Sequence, residues 1–154
     1  MDTIGLGLYF EDLPEGRQFK TLGRSVTEAD IVNFVGATGM GEVLFINLDY
    51  LENETDFDDR LVPGALVLAN AEGQVMQYSL QKTGIAFLGM EMNIEGPVFA
   101  GDTLYVEVEV IESRRSKSQP ERALIRTRNT VKNQHGKTVM VYTPLRMMKC
   151  RGEG

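Results

Sequence analysis

The sequence predicts an α+β domain, with one long central helix packed on a curled antiparallel β-sheet. Three observations carry that expectation. Residues 63–83, PGALVLANAEGQVMQYSLQKT, form the longest run that reads as a single helix, and Pro63 suits its start. From Ile85 onward the apolar period drops to two, and Leu104, Val106, Val108 and Val110 alternate with Tyr105, Glu107 and Glu109. Turn signals at Gly101-Asp102 and at Asn133-Gln134-His135-Gly136 cut this half into about four strands. The 154 residues are read as one domain spanning 1–154, with 1–8 a loose leader and 149–154 a tail.

Each element has its own warrant. Tyr9-Phe10-Glu11-Asp12-Leu13-Pro14-Glu15-Gly16 is an aromatic anchor followed by turn chemistry. Residues 18–26 read as a short strand around Phe19. Thr27 is placed to cap a helix whose first turn holds Glu28 and Asp30, and Ile31, Phe34 and Val35 give it an apolar face up to Gly39. Residues 39–61 show no sustained period and carry Glu52, Glu54, Asp56, Asp58 and Asp59. They read as a long loop with a helical turn at 48–51, and loops of that length are often functional.

Within the long helix, Ala65, Ala69 and Gly73 fall four apart and predict a narrow face of small residues lying close on the sheet. Leu66, Leu68, Val75, Met76 and Leu80 widen the apolar surface, so the helix is expected to be buried on most sides. Gly84 is the predicted left-handed stop, with Lys82 in the last turn. Residues 85–98, 104–110, 123–128 and 139–147 then read as strands, with bends at Gly89 and Gly96 and an edge or bulge at Pro144. Between the second and third of these lies a polar, basic loop over 113–120.

Composition narrows the function classes. Hydrophobic content of 42% and charged content of 25% are those of a soluble globular domain. A net charge of −6 argues against nucleic acid and anionic membrane surfaces as partners, and leaves room for a small anionic ligand held by local cations. The single cysteine, Cys150, forms no internal disulfide and reads as a bystander. No apolar run approaches the ~18 residues of a membrane span, and no basic leader precedes one; a cytoplasmic protein without membrane contact is expected. No metal site and no resident cofactor is expected.

Four strings resemble one family, the MaoC-like dehydratases related to (R)-specific enoyl-CoA hydratases. They are the stretch Tyr9 to Gly16; Thr27-Glu28-Ala29-Asp30-Ile31-Val32-Asn33-Phe34 leading to Ala37-Thr38-Gly39; the stretch Phe57 to Leu68, with Arg60 and Gly64; and Pro97-Val98-Phe99-Ala100-Gly101-Asp102-Thr103-Leu104. They span residues 9–104 in the family's order. The resemblance implies a single hotdog domain that pairs edge to edge into a homodimer or larger assembly. It also implies an acyl-CoA thioester as substrate or ligand, and a place in fatty acid metabolism.

The family's active-site motif reads roughly Asp-x-Asn-Pro-x-His after its Thr-Gly. On this chain the aspartate falls at Met40, the asparagine at Glu42, the proline at Val43 and the histidine at Phe45; a further histidine falls at Pro63. Hydrating an enoyl double bond needs a base for water and an acid for the α-carbon, and neither methionine nor phenylalanine exchanges protons. Glu42 is the candidate stand-in, because a carboxylate buried beside Met40 and Phe45 would have a raised pKa; an exposed loop glutamate is the alternative. The only histidine, His135, reads as a solvated turn residue.

Other site candidates follow. The N–H groups of Gly64 and Ala65 open the long helix and are placed to polarise a thioester carbonyl. Asn47 and Asn70 are candidates to hold a water or that carbonyl, and Asn70 equally to satisfy nearby backbone. Arg114, Arg115 and Lys117, with Arg122, are the candidates for coenzyme A phosphates, set against a solvated loop. Arg60 is a candidate for an ion pair with the neighbouring aspartates. Met40, Phe45, Met76, Met90 and Met92 are candidate acyl-tunnel linings.

Three functional readings stand. The first is a hydratase or dehydratase of acyl-CoA with a non-standard acid/base. The second is an inactive hotdog subunit that binds acyl-CoA or pairs with a catalytic partner. The third is a thioesterase using Glu72.

Overall fold

The computed structural model describes residues 1–152; Glu153 and Gly154, the end of the expected tail, lie outside the described residues. The helices are α1 (Glu28–Thr38), α2 (Val43–Ile46), α3 (Leu48–Glu54) and α4 (Gly64–Ser79). The strands are β1 (Gln18–Lys20), β2 (Arg24–Ser25), β3 (Gly84–Gly89), β4 (Met92–Ile94), β5 (Thr103–Arg115), β6 (Arg122–Lys132), β7 (Thr138–Tyr142) and β8 (Leu145–Lys149).

The first helix forms as its sequence dictates. Thr27 Oγ1 accepts from Asp30 N–H at 3.2 Å while Asp30 Oδ2 accepts from Thr27 N–H at 2.9 Å, a reciprocal cap. Gly39 ends it with φ 71°, a left-handed conformation that glycine adopts without penalty. The expected strand over 18–26 is instead two short ones, β1 and β2, both paired with β5.

The segment 39–61 holds more structure than a loop with one turn. It contains α2 and α3, joined by Asn47, which ends the first and caps the second through Tyr50 N–H at 2.9 Å. Helices of four and seven residues are too short to print a period on the sequence.

In α4 the expected faces are exchanged. Leu66, Val67, Asn70, Ala71, Gln74 and Val75 are buried against the sheet, while Ala65, Ala69 and Gly73 face outward. The reason is polar. Gln74 Nε2 donates to Asn70 Oδ1 at 2.8 Å and to Leu104 O at 3.0 Å, and Gln74 Oε1 accepts from Thr21 Oγ1 at 2.7 Å. Two amides therefore enter the core, Gln74 partnered at both its oxygen and its nitrogen and Asn70 through its oxygen, which a hydrophobic pattern does not register. Nor is the helix buried on most sides, since Met76 is 52% exposed. Its ends also differ from expectation. Pro63 is the cap residue before the helix, and Gly84 begins β3; the left-handed residue between them is Lys82, at φ 62°.

The sheet is antiparallel and runs β1-β5-β6-β7-β4, with β8 beside β6 and β3 beside β8. Residues 139–147 are two strands, split at Thr143–Pro144, and both lie along β6. Pro144 still serves the ladder as an acceptor, for Thr127 N–H at 3.3 Å. The expected strand 85–98 splits likewise into β3 on β8 and β4 on β7. Leu104, Val106, Val108 and Val110 of β5 point inward, as the alternation predicts. With Val26, Ile31, Val131, Val139, Met140 and Tyr142, the first three of these enclose α4 in the hotdog arrangement that the resemblance implies, while Val110 joins a second cluster with Leu13, Ala123, Ile125 and Met148.

The inner ends of the leader and tail are tied down. Gly7 N–H donates to Gln81 O and Leu8 N–H to Ser79 O, both at 2.8 Å. Cys150 packs on a second apolar cluster with Leu13 and Met148, so it is part of the fold rather than a bystander.

Candidate functional site

The Pro97 to Leu104 string explains itself once folded. Asp102 Oδ2 accepts from Phe99 N–H at 2.8 Å and Gly101 takes φ 94°, closing a turn that presents Val98 to the interior. Val98 O then accepts from Val62 N–H at 2.8 Å, and Ala100 N–H donates to Arg60 O at 2.9 Å. These bonds fix the residues preceding α4 against the turn. The helix start and the turn thus become two walls of one cavity.

That cavity is an open pocket of about 330 Å³, almost wholly apolar. Its floor is Val62, Val67, Val98, Val139 and Met140, and its rim carries Phe45, Phe57, Ile94 and Pro97 beside Gly64. Phe57 is steadied by an edge-on contact with Phe99, ring centroids 6.2 Å apart. Gly64 opens α4, so its N–H has no carbonyl a turn earlier to bond. A Cβ there would sit 2.8 Å from Ile94 Cδ1, so the glycine lets the β4 side chain lie over the helix start. No lining residue is ionisable.

The candidate residues divide. Phe45 and Gly64 meet at the cavity. Glu42 does not join them. It precedes α2, is exposed, makes no capping bond, and borders a separate shallow depression with Gly39, Met40, Gly41 and Phe45. Of the two readings, a carboxylate buried beside Met40 and Phe45 or an exposed loop glutamate, the structure has the exposed one, and Met40 is itself exposed. Asn47 is an exposed helix cap and Asn70 is engaged by Gln74, so neither lines the cavity. Pro63 is buried as the cap of α4, and Ala65 is exposed on its outer face.

The basic candidates are engaged elsewhere. Arg114 pairs with Glu112 at 2.9 Å, and Arg115 donates to Pro120 O at 2.7 Å while its guanidinium lies 5.1 Å from the Phe10 ring centroid. Arg122 lies 3.7 Å from Glu121, and Lys117 is exposed. These residues sit at the tip where Arg115 faces Ala123, whereas the cavity lies by the end where Tyr105 faces Lys132. At about 3.3 Å per residue the two ends are roughly 30 Å apart within one chain. Arg60 pairs with Glu28 at 3.1 Å rather than with the neighbouring aspartates, tying α1 to the cavity wall.

Of the expected tunnel linings only Phe45 lines the cavity; Met76, Met90 and Met92 are exposed. Ile94, Val139 and Met140 were missed, because cross-strand neighbours cannot be read without the register. His135 is exposed in its turn, as expected. Glu72 accepts from Tyr142 Oη at 2.7 Å and from the Arg146 guanidinium, which lies 5.2 Å from the Phe87 ring centroid. Burial, and then the nearby Glu72 charge, push the Tyr142 hydroxyl far above its ordinary range, so it remains a proton donor.

Residues 15–142 match the family described as FAS1-like, dehydratase domain region. The chain is a MaoC-like member of that family. It is 34% identical over 102 residues to protein MaoC of Klebsiella aerogenes, an alignment covering 65% of this chain and 30% of that protein. It is 30% identical over 105 residues to a 3-hydroxybutyryl-CoA dehydratase of Methylorubrum extorquens, covering 68% of this chain and 65% of the relative. The chain thus spans less than two thirds of either curated relative.

The solved structure of the MaoC-like dehydratase from Rhodospirillum rubrum superposes with a TM-score of 0.83 at 26% identity, covering 95% of this chain and 99% of that one. A double-hotdog protein of Mycobacterium tuberculosis gives 0.85 at 21% identity, covering 99% of this chain and 47% of its own length. The second likeness speaks to fold alone. Among the described residues no helix of this MaoC-like chain is long and apolar enough to cross a membrane, and no cluster of acidic, histidine or cysteine side chains is arranged to hold a metal.

Proposed function

We propose that this MaoC-like chain binds acyl-CoA-type thioesters with the acyl group in the cavity at the start of α4, and that it contributes no acid or base to the reacting carbons. The observation that carries the reading is the lining of that cavity, in which Phe45 forms a wall and no side chain ionises. Apolar walls with few polar groups suit a hydrocarbon tail. The Gly64 N–H and the positive end of the helix dipole are the polar element available to a thioester carbonyl. Hydration needs a proton acceptor for water and a donor for the α-carbon. The carboxylates flanking the lining in sequence, Glu95 beside Ile94 and Gly96, Asp56 and Asp58 beside Phe57, and Glu42 three residues before Phe45, are all exposed.

The reading includes a second hotdog seated along the free side of β3 and β4. That edge exposes Ile85, Phe87, Leu88, Met92 and Ile94, and an unpaired apolar edge strand requires a cover. The chain's fold matches half of a protein described as having a double hotdog fold, and we place a second copy or a related hotdog chain at this edge because of its exposed apolar residues. A catalytic partner seated there would supply the missing acid and base.

The test is calorimetric titration with butyryl-CoA, comparing wild type with Gly64→Val. The valine displaces Ile94 and fills the mouth, so saturable binding in the wild type and none in the folded variant supports the site. Equal binding by both removes it.

A further inference from the structure

We propose that residues 40–56 form a flap that opens as a unit over the cavity, with Phe45 as its gate; the ligand that passes the gate rests on the acyl-thioester reading above. The segment begins just after α1, holds α2 and α3, and ends just before Phe57. Among the described residues, every hydrogen bond it makes stays within 38–57. At its start Met40 N–H donates to Thr38 Oγ1 at 3.3 Å and Gly41 N–H to Gly39 O at 2.8 Å; at its end Thr55 Oγ1 accepts from Phe57 N–H at 3.2 Å. Its carboxylates, Glu42, Asp49, Glu52, Glu54 and Asp56, form no ion pair among those residues. Leu51 is its one buried residue, and neither apolar core cluster includes any of its side chains. A segment outside the core clusters, with no outward hydrogen bond or ion pair, opens at a small fraction of the free energy of global unfolding. Helices of four and seven residues add no stability of their own.

The start of the flap has the form of a hinge. Gly39 holds φ 71°, a Cβ added to it would meet nothing within 4 Å, and one added to Gly41 would meet nothing nearer than 3.8 Å. The backbone on both sides of Met40 is therefore not packed in place, as a hinge requires. Phe45 decides what the movement does. Its half-buried ring lines the apolar cavity and also borders the depression among Gly39, Met40, Gly41 and Glu42. The ring is thus the partition between the two, and lifting α2 joins them. None of the depression's residues belongs to the β3–β4 edge given to the partner, so covering that edge does not by itself close this entrance. Once closed, the flap shelters the acyl group from water.

The experiment has two parts, both on the full chain. Hydrogen–deuterium exchange read by mass spectrometry is expected to find the amides of residues 43–54 exchanging about 100-fold or more faster than those of β5, and butyryl-CoA to slow them about fivefold or more. Association of butyryl-CoA with the immobilised protein is expected to quicken about fivefold or more in Phe45→Ala and to slow in Phe45→Trp, with circular dichroism showing both variants folded. Flap amides as protected as those of β5 overturn the proposal, whether the body or a partner holds them. So does exchange that bound butyryl-CoA leaves unchanged, or an association rate that neither folded variant alters. Any of these with butyryl-CoA bound by the wild type removes the gate and leaves the acyl site standing. No binding by the wild type is a different result. It removes the acyl-thioester reading, and the gate with it.

Discussion

Thr21, in the turn after β1, donates its hydroxyl hydrogen to Gln74 Oε1 on α4 at 2.7 Å, and both residues are buried. The same hydroxyl oxygen accepts from Val106 N–H at 3.0 Å. One threonine thus stitches the helix to β5 and fixes which face of α4 turns inward. Gln74→Ala strands the Thr21 hydroxyl, the Asn70 carbonyl oxygen and one acceptor site on Leu104. We expect a loss of about 2–4 kcal/mol, read as a lower urea midpoint. Gln74→Glu should also destabilise, because its carboxylate has no hydrogen to give Leu104 O.

Glu72 is structural on this account. Its carboxylate is the acceptor for both Tyr142 and Arg146, so Glu72→Ala leaves a largely buried guanidinium without its partner. The expected cost is about 2–4 kcal/mol, somewhat less than for a fully buried pair. Acyl-CoA affinity of the folded variant should not change, since Glu72 lies outside the cavity. A lost thioesterase activity in Glu72→Gln would contradict this assignment.

The two ends of the chain are joined by charge. Asp12 is held below its usual 3.8 by the Arg151 side chain that donates to it, and by Tyr9 N–H. A carboxylate depressed in the folded state contributes stability above its unfolded pKa and loses it as pH falls through the native value. Wild type should therefore exceed Asp12→Asn in urea stability above pH ~4, with the gap closing at lower pH. A gap that stays constant down to full protonation would contradict the linkage.

The free edge makes a prediction about assembly. Leu88 is 49% exposed on β3, and a lysine there would place a charge in any apolar contact along that edge. Leu88→Lys is expected to weaken self-association about tenfold or more in sedimentation velocity, while leaving the far-ultraviolet circular dichroism intact. An unchanged sedimentation profile would move the contact elsewhere on the molecule.

Much of the fold was legible because it rests on local rules. The Thr27–Asp30 cap, the left-handed Gly39 and the alternation of Leu104 to Val110 are each decided within a few residues. The inward face of α4 was not legible, because it is set by Gln74 meeting Thr21 and Leu104 O far away in sequence. The site was half legible. Phe45 and Gly64, both singled out from the sequence, line the cavity. Met140 enters only through its register with Ile94, and the basic residues at 114–117 are roughly 30 Å away for reasons of sheet length.

The central claim is that the chain holds a thioester without doing proton transfer on it. Its most direct test is turnover of crotonyl-CoA by the purified protein, with Glu42→Gln alongside and binding measured on the same preparation. The account predicts saturable binding and no hydration by either protein. Hydration by the wild type that collapses in Glu42→Gln would contradict it, and would place the acid/base on the residue that here faces solvent.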